Sequence, residues 1–77
     1  MSMIPDAAPP AQPTEVWRLD IFAGETETDS VIFNATEAGV EAEALRIVTA
    51  QGLGTHGDIY RLTGGDRAVY YSTVTVK

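Results

Sequence analysis

Over residues 16–23 apolar and polar side chains alternate, with Trp17, Leu19 and Ile21 on one side and Arg18 and Asp20 on the other. A period of two is that of a half-buried strand. The next six residues, Gly-Glu-Thr-Glu-Thr-Asp over 24–29, are polar and read as a hairpin loop, and residues 30–34 supply a second short strand through Val31, Ile32 and Phe33. The period then changes. Asn34 and Glu37 stand at capping-box spacing, and Thr36 is a rival N-cap. Val40, Ala44, Ile47 and Val48 recur as one stripe, Leu45 lies on its shoulder, and Glu43 and Arg46 point away. This predicts an amphipathic helix of roughly four turns, closed at Gln51 with Gly52 as its left-handed cap and Leu53 as the apolar contact beyond.

Two further strands follow at 58–63 and 67–76, joined by Gly64-Gly65-Asp66, a tight-turn sequence. In the last, Ala68, Tyr70, Ser72, Val74 and Val76 share one face and Val69, Tyr71, Thr73 and Thr75 the other, so β-formers on both sides predict a central strand. The order is β-β-α-β-β. One helix covers only one face of a sheet, so the pattern predicts an α+β fold: a four-stranded antiparallel sheet with one helix packed on one face, in strand order 2-1-4-3. All four prolines (Pro5, Pro9, Pro10, Pro13) precede this region, among alanines and small polar residues without period. Residues 1–14 therefore read as a flexible, disordered tail and 15–77 as a single domain. Pro10-Ala11-Gln12-Pro13 lacks the basic residue that polyproline ligands usually carry.

At 77 residues the chain has room for one core, and its 44% hydrophobic content argues against wholesale disorder. No cysteine is present, which removes disulfides, thiolate nucleophiles and cysteine-based metal sites and permits a reducing compartment. A formal net charge of −6 disfavours direct binding to nucleic acid or to an anionic membrane, since both rest on clustered Lys and Arg. No apolar run of about 20 residues is present to span a bilayer, and the first residues lack the basic and apolar regions of a secretion signal. The expected location is cytoplasmic.

The charge is unevenly placed. Residues 1–43 hold nine acids and the single base Arg18, whereas 44–77 hold two acids and four bases. Glu25, Glu27 and Asp29 in the predicted loop, with Glu37, Glu41 and Glu43 at the helix start, form a run of six acids without a base. In an extended loop the first three would project to one side. Helix-dipole complementarity accounts for Glu37 and Glu41 but not for the loop, so the run reads either as a surface steering the protein to a basic partner or as a solvated face. The loop lacks the ligand pattern of a calcium site, and neither a metal nor a cofactor is expected.

Residues 52–57 spell G-x-G-x-x-G, but here the glycines close a helix and lead into a strand, the reverse of the phosphate-binding context. They read as cap and turn. His56 is the only histidine, so any acid–base scheme must use it; with no assembled triad it reads as a solvent-exposed loop residue. Tyr60, Tyr70 and Tyr71 crowd the second hairpin. Tyr70 and Tyr71 point to opposite faces of a regular strand, which predicts an uncovered face of Tyr71, Val69 and threonines with Ile59 across the hairpin. Tyrosine is common in protein interfaces and on solvent-side strands alike.

These features lead first to a non-enzymatic protein-binding module that uses its acids, Tyr60 and Tyr71 against a basic surface of a protein or nucleoprotein. In size, acidity and coarse architecture the chain is similar to the small inhibitors that phages and mobile elements use against bacterial defence, including anti-CRISPR proteins that occupy basic nucleic-acid channels. That likeness is one of type and carries no residue roles. The second reading is an assembly component that forms a homodimer or larger array through its exposed sheet face or an edge strand. A small enzyme using His56 ranks third.

Overall fold

The computed structural model describes residues 13–52, 54–64 and 67–76. Most of the predicted tail, the contact at Leu53 and two residues of the second hairpin turn lie outside that set. The elements are β1 (Glu15–Ala23), β2 (Thr26–Ala35), α1 (Val40–Ala50), β3 (His56–Leu62) and β4 (Ala68–Thr75), and the four strands form one antiparallel sheet with α1 on one face. Fold class and element order are those predicted.

The strand order is β2-β1-β3-β4, not 2-1-4-3. Direction decides it. The helix carries the chain back along the sheet, so β3 runs the same way as β2, and β1 is the neighbour antiparallel to both. The order 2-1-4-3 would have set β1 beside a parallel β4. The last strand, predicted central, is therefore an edge.

The alternation in β1 delivers the core: Trp17, Leu19 and Ile21 are fully buried beneath Val40, Ala44 and Val48 of the helix, with Ile59 beside them from β3. Val31, Phe33, Ile47, Tyr71, Val74 and Val76 pack around this cluster while staying partly open. The helix can lie this close because Gly57 sits under it: a Cβ there would come 2.6 Å from Leu19 Cδ1 and 2.8 Å from Val48 Cγ2.

Several local expectations are corrected. Instead of a six-residue loop, β1 and β2 are joined by Gly24 and Glu25 alone, with Ala23 opposite Thr26. Gly24 has φ +65° and Glu25 does not have a positive φ, the pattern of a II′ hairpin turn. The polar 26–29 segment is the start of β2. The helix is 11 residues long, shorter than four turns, and begins after Gly39 rather than at Asn34, which lies in β2. Thr36 does act locally, its Oγ1 accepting the Gly39 N–H at 3.1 Å in the turn before the helix. At the other end Gly52 takes φ +79° after Gln51, as predicted. His56 is the first residue of β3 rather than a loop residue, half-buried and stacked on Phe22 with ring centroids 5.0 Å apart.

Two bulges break the period of two. One leaves Thr28 extra between the pairs Ile21–Asp29 and Phe22–Glu27; the other leaves Tyr71 extra between Ile59–Ser72 and Tyr60–Tyr70. Each reverses the alternation beyond it.

Candidate functional site

The six acids do not converge. Glu25, Glu27 and Asp29 lie at the hairpin end of β1, while Glu37, Glu41 and Glu43 lie near its start, where the helix begins. Asp29 and Glu27 stand beside Ile21 and Phe22 on the β2 edge, whereas Glu41 bonds Ser72 on β4, three strand spacings or about 14 Å away across the sheet. The bulge at Thr28 also parts the first group, registering Asp29 with Ile21 on the helix side and Glu27 with Phe22 on the open side. The second group is largely engaged within the fold. Glu37 Oε1 is 3.1 Å from Arg61 Nη2, Glu41 accepts the Ser72 hydroxyl at 2.6 Å, and Glu43 is paired with Arg46. The hydrogen bond from Arg46 holds the Glu43 carboxyl below its ordinary pKa. Glu25, Glu27 and Asp29 have no ion pair among the described residues.

Arg61 organises the helix end. Its Nε is buried 3.0 Å from Glu15 Oε1, in an ion pair whose angle falls short of a hydrogen bond, and its guanidinium carbon stands 4.9 Å from the Trp17 ring and 5.4 Å from that of Tyr71. The Tyr71 ring meets Trp17 edge-on at 4.9 Å. Tyr71 is thus on the helix-covered side, contrary to expectation, because the bulge at Tyr71 turns it inward. Ile59, expected beside it on the uncovered face, is in the core. Burial raises the Tyr71 pKa above its ordinary value, with the negative charges of Glu37 and Glu41 adding to that and Arg61 opposing it. The neutral phenol is favoured in the folded state, so this contribution to stability is complete below the ordinary tyrosine value and is lost as pH rises through the higher folded one. A tyrosinate absorbance titration should show one of the three tyrosines ionising late, and Tyr71→Phe should remove that late step.

The face away from the helix is ordered in rows across the sheet. Val16 and Asn34 stand at one end, followed by a row of Ile32, Arg18, Tyr60 and Tyr70, then Ser30, Asp20, Asp58 and Thr73, then Glu27, Phe22, His56 and Thr75. Ile32 is 58% exposed, Tyr70 56% and Val16 43%, so the first rows form an open apolar band. Arg18 lies over the Tyr60 ring at 4.4 Å and Tyr60 meets Tyr70 edge-on at 5.9 Å, which stiffens the aromatic pair.

The neighbouring row sets two acidic residues in register across adjacent strands, Asp20 on β1 and Asp58 on β3. Arg18 bonds Asp20 through Nε at 3.0 Å and Nη2 at 3.2 Å, and Ser30 Oγ donates to the same carboxylate at 2.9 Å. Asp58 accepts from the Thr73 hydroxyl at 2.8 Å, itself bonded to Tyr70 OH at 2.7 Å. Like charges in register across strands are unfavourable, and here Arg18 is bonded to Asp20, while Asp58 has no ion pair among the described residues.

Comparison with protein-family models, curated proteins and solved structures returns no match. The surface itself must supply the argument.

Among the described residues no pocket is found, no group of three or more His, Asp or Glu is placed to hold a metal ion, and no helix is long and apolar enough to cross a membrane. Of the sequence candidates, Tyr60 lies on the open face, joined there by Glu27. Arg18, Asp20, Asp58 and Tyr70 were not singled out. Their signal was present in the outward positions of β1 and in the antiparallel order that sets β3 beside it.

Proposed function

We propose that the chain is a non-enzymatic protein-binding module whose open sheet face engages a basic protein surface carrying apolar side chains. The observation that carries this reading is the Asp20 and Asp58 pair, in register on the open face, beside the Ile32, Tyr60 and Tyr70 row, in which Ile32 and Tyr70 are exposed and Tyr60 half-buried. The aromatic row supplies large contact area with little rotamer entropy to lose. A cationic group from a partner would relieve the repulsion between the two carboxylates. Glu25, Glu27 and Asp29 at the hairpin end add long-range attraction and act mainly on the association rate. The narrower form, an inhibitor of phage or mobile-element type that occupies a basic nucleic-acid channel as anti-CRISPR proteins do, draws on the same acids. A cytoplasmic location accords with the absence of cysteine.

Capture from native lysate, quantified by mass spectrometry, tests the reading. The Tyr60→Ala/Tyr70→Ala variant should lose the partner by tenfold or more, roughly 1.4 kcal/mol or above. Binding should weaken between about 0.05 and about 0.5 M salt. Equal capture by wild type and double variant would contradict the open-face assignment.

A further inference from the structure

The two edges of the sheet are built differently. The bulge at Tyr71 interrupts β4 in mid-strand, whereas that in β2 lies at Thr28 near its start and leaves residues 30–35 regular. This stretch, Ser-Val-Ile-Phe-Asn-Ala, has no charge and no proline, the features that commonly protect an edge.

The backbone directions follow from β1. The Phe22 carbonyl accepts the Thr55 N–H at 2.7 Å on the β3 side, while the Ile21 carbonyl accepts the Thr28 hydroxyl at 3.3 Å on the β2 side. Alternation then directs the backbone groups of Leu19 and Trp17 to Val31 and Phe33 in β2, and those of Ser30, Ile32 and Asn34 face outward.

We propose that residues 30–35 of β2 pair antiparallel with the same stretch of a second copy, about a two-fold axis at Ile32. The segment is self-complementary in that register. Ile32 meets Ile32 of the second copy on the open face, and Val31 meets its Phe33 on the helix face. Both faces are apolar up to the edge, since Val31 and Phe33 are only partly buried and Ile32 is exposed. Ser30 falls opposite Asn34 of the second copy, polar against polar; its N–H, which in the single chain donates to the Asp29 carboxylate at 2.8 Å, exchanges that partner for the Asn34 carbonyl, and Ile32 and Asn34 gain backbone partners. Asp29 falls opposite Ala35 of the second copy rather than another acid. Pairing a charged foreign strand here would lose this matching, which is why a second copy is the occupant.

One added strand pair is smaller than a standard interface, so the dimer is weak. Each copy carries a formal charge of −6, so salt should strengthen it, the opposite of its effect on a basic partner. Sedimentation velocity on the full chain over a concentration series should show a monomer–dimer equilibrium whose association rises severalfold from low to high salt. Ile32→Lys places like charges across the axis and should weaken association at least tenfold. Ile32→Pro removes an outward N–H that the β1 ladder does not use and should do the same. Either variant is to be checked for native circular dichroism, so that one folded variant suffices. Tyr60→Ala/Tyr70→Ala should dimerise as wild type does, since of the open-face row only Ile32 belongs to this interface. A strict monomer at millimolar concentration and high salt, or a dimer unaffected by a folded Ile32 variant, would overturn the proposal.

Discussion

Replacing Trp17 by alanine should destabilise the domain by about 3–5 kcal/mol. The side chain is fully buried at the centre of the sheet, its indole Nε1–H donates to the Ala35 carbonyl at 2.9 Å, and its ring supports both Tyr71 and the Arg61 guanidinium. Truncation would open a large cavity, orphan the end of β2 and withdraw the ring that Arg61 lies over. Domains of this size have total stabilities on the order of 4–12 kcal/mol, so the loss takes much of the total. With a shift of about 4–8 °C per kcal/mol, the thermal midpoint should fall by roughly 12–40 °C, readable by circular dichroism. A fall of only a few degrees would mean that Trp17 is not the keystone of the core.

Gly57→Ala should cost about 1–3 kcal/mol, a large effect for one methyl group. The added Cβ would meet Leu19 Cδ1 at 2.6 Å and Val48 Cγ2 at 2.8 Å, so the helix must lift or both side chains must repack. Val48→Ala makes room, so the double substitution should cost less than the sum of the two singles. Gly64→Ala is the control, since no atom lies within 4 Å of its added Cβ and its φ is not positive. Chemical denaturation followed by the single, buried Trp17 measures all four variants. Additive losses at Gly57 and Val48 would place the strain elsewhere. Gly57 and the cap at Gly52 also explain the G-x-G-x-x-G spelling by close packing and chain reversal.

How far the fold could be read from the chain depended on burial. The inward face of β1 and the stripe of α1 were legible because burial selects strongly at Trp17, Leu19, Ile21, Val40, Ala44 and Val48. The start of β2 was not, because an edge strand solvated at Thr26 to Asp29 has the polarity of a loop. Direction alone excludes the order 2-1-4-3, to which the β-formers on both faces of β4 point. Those formers are explained instead by the bulge, which sends Tyr71 inward against Trp17 and leaves Tyr70 outward against Tyr60.

The candidate site was legible in kind more than in place. Acidity marks six residues that are near in sequence, but the fold places them on different edges of the sheet, and Glu37 and Glu43 pair with arginines at the surface. The acids that do share a row, Asp20 and Asp58, are 38 positions apart and become neighbours only through the β1–β3 register. A net charge of −6 thus resolves into an exposed group at the hairpin end, an engaged group at the helix start and one pair in register on the open face.

That pair makes the decisive variant Asp58→Asn. If the carboxylate is held against Asp20 for a basic partner, its neutralisation should stabilise the free protein by about 0.2–1 kcal/mol while weakening partner capture. Both are measured on one preparation, by denaturation and by quantitative capture from lysate. A gain in stability together with a loss of capture is the predicted result; a less stable protein, or undiminished capture, would contradict the open face as the binding surface.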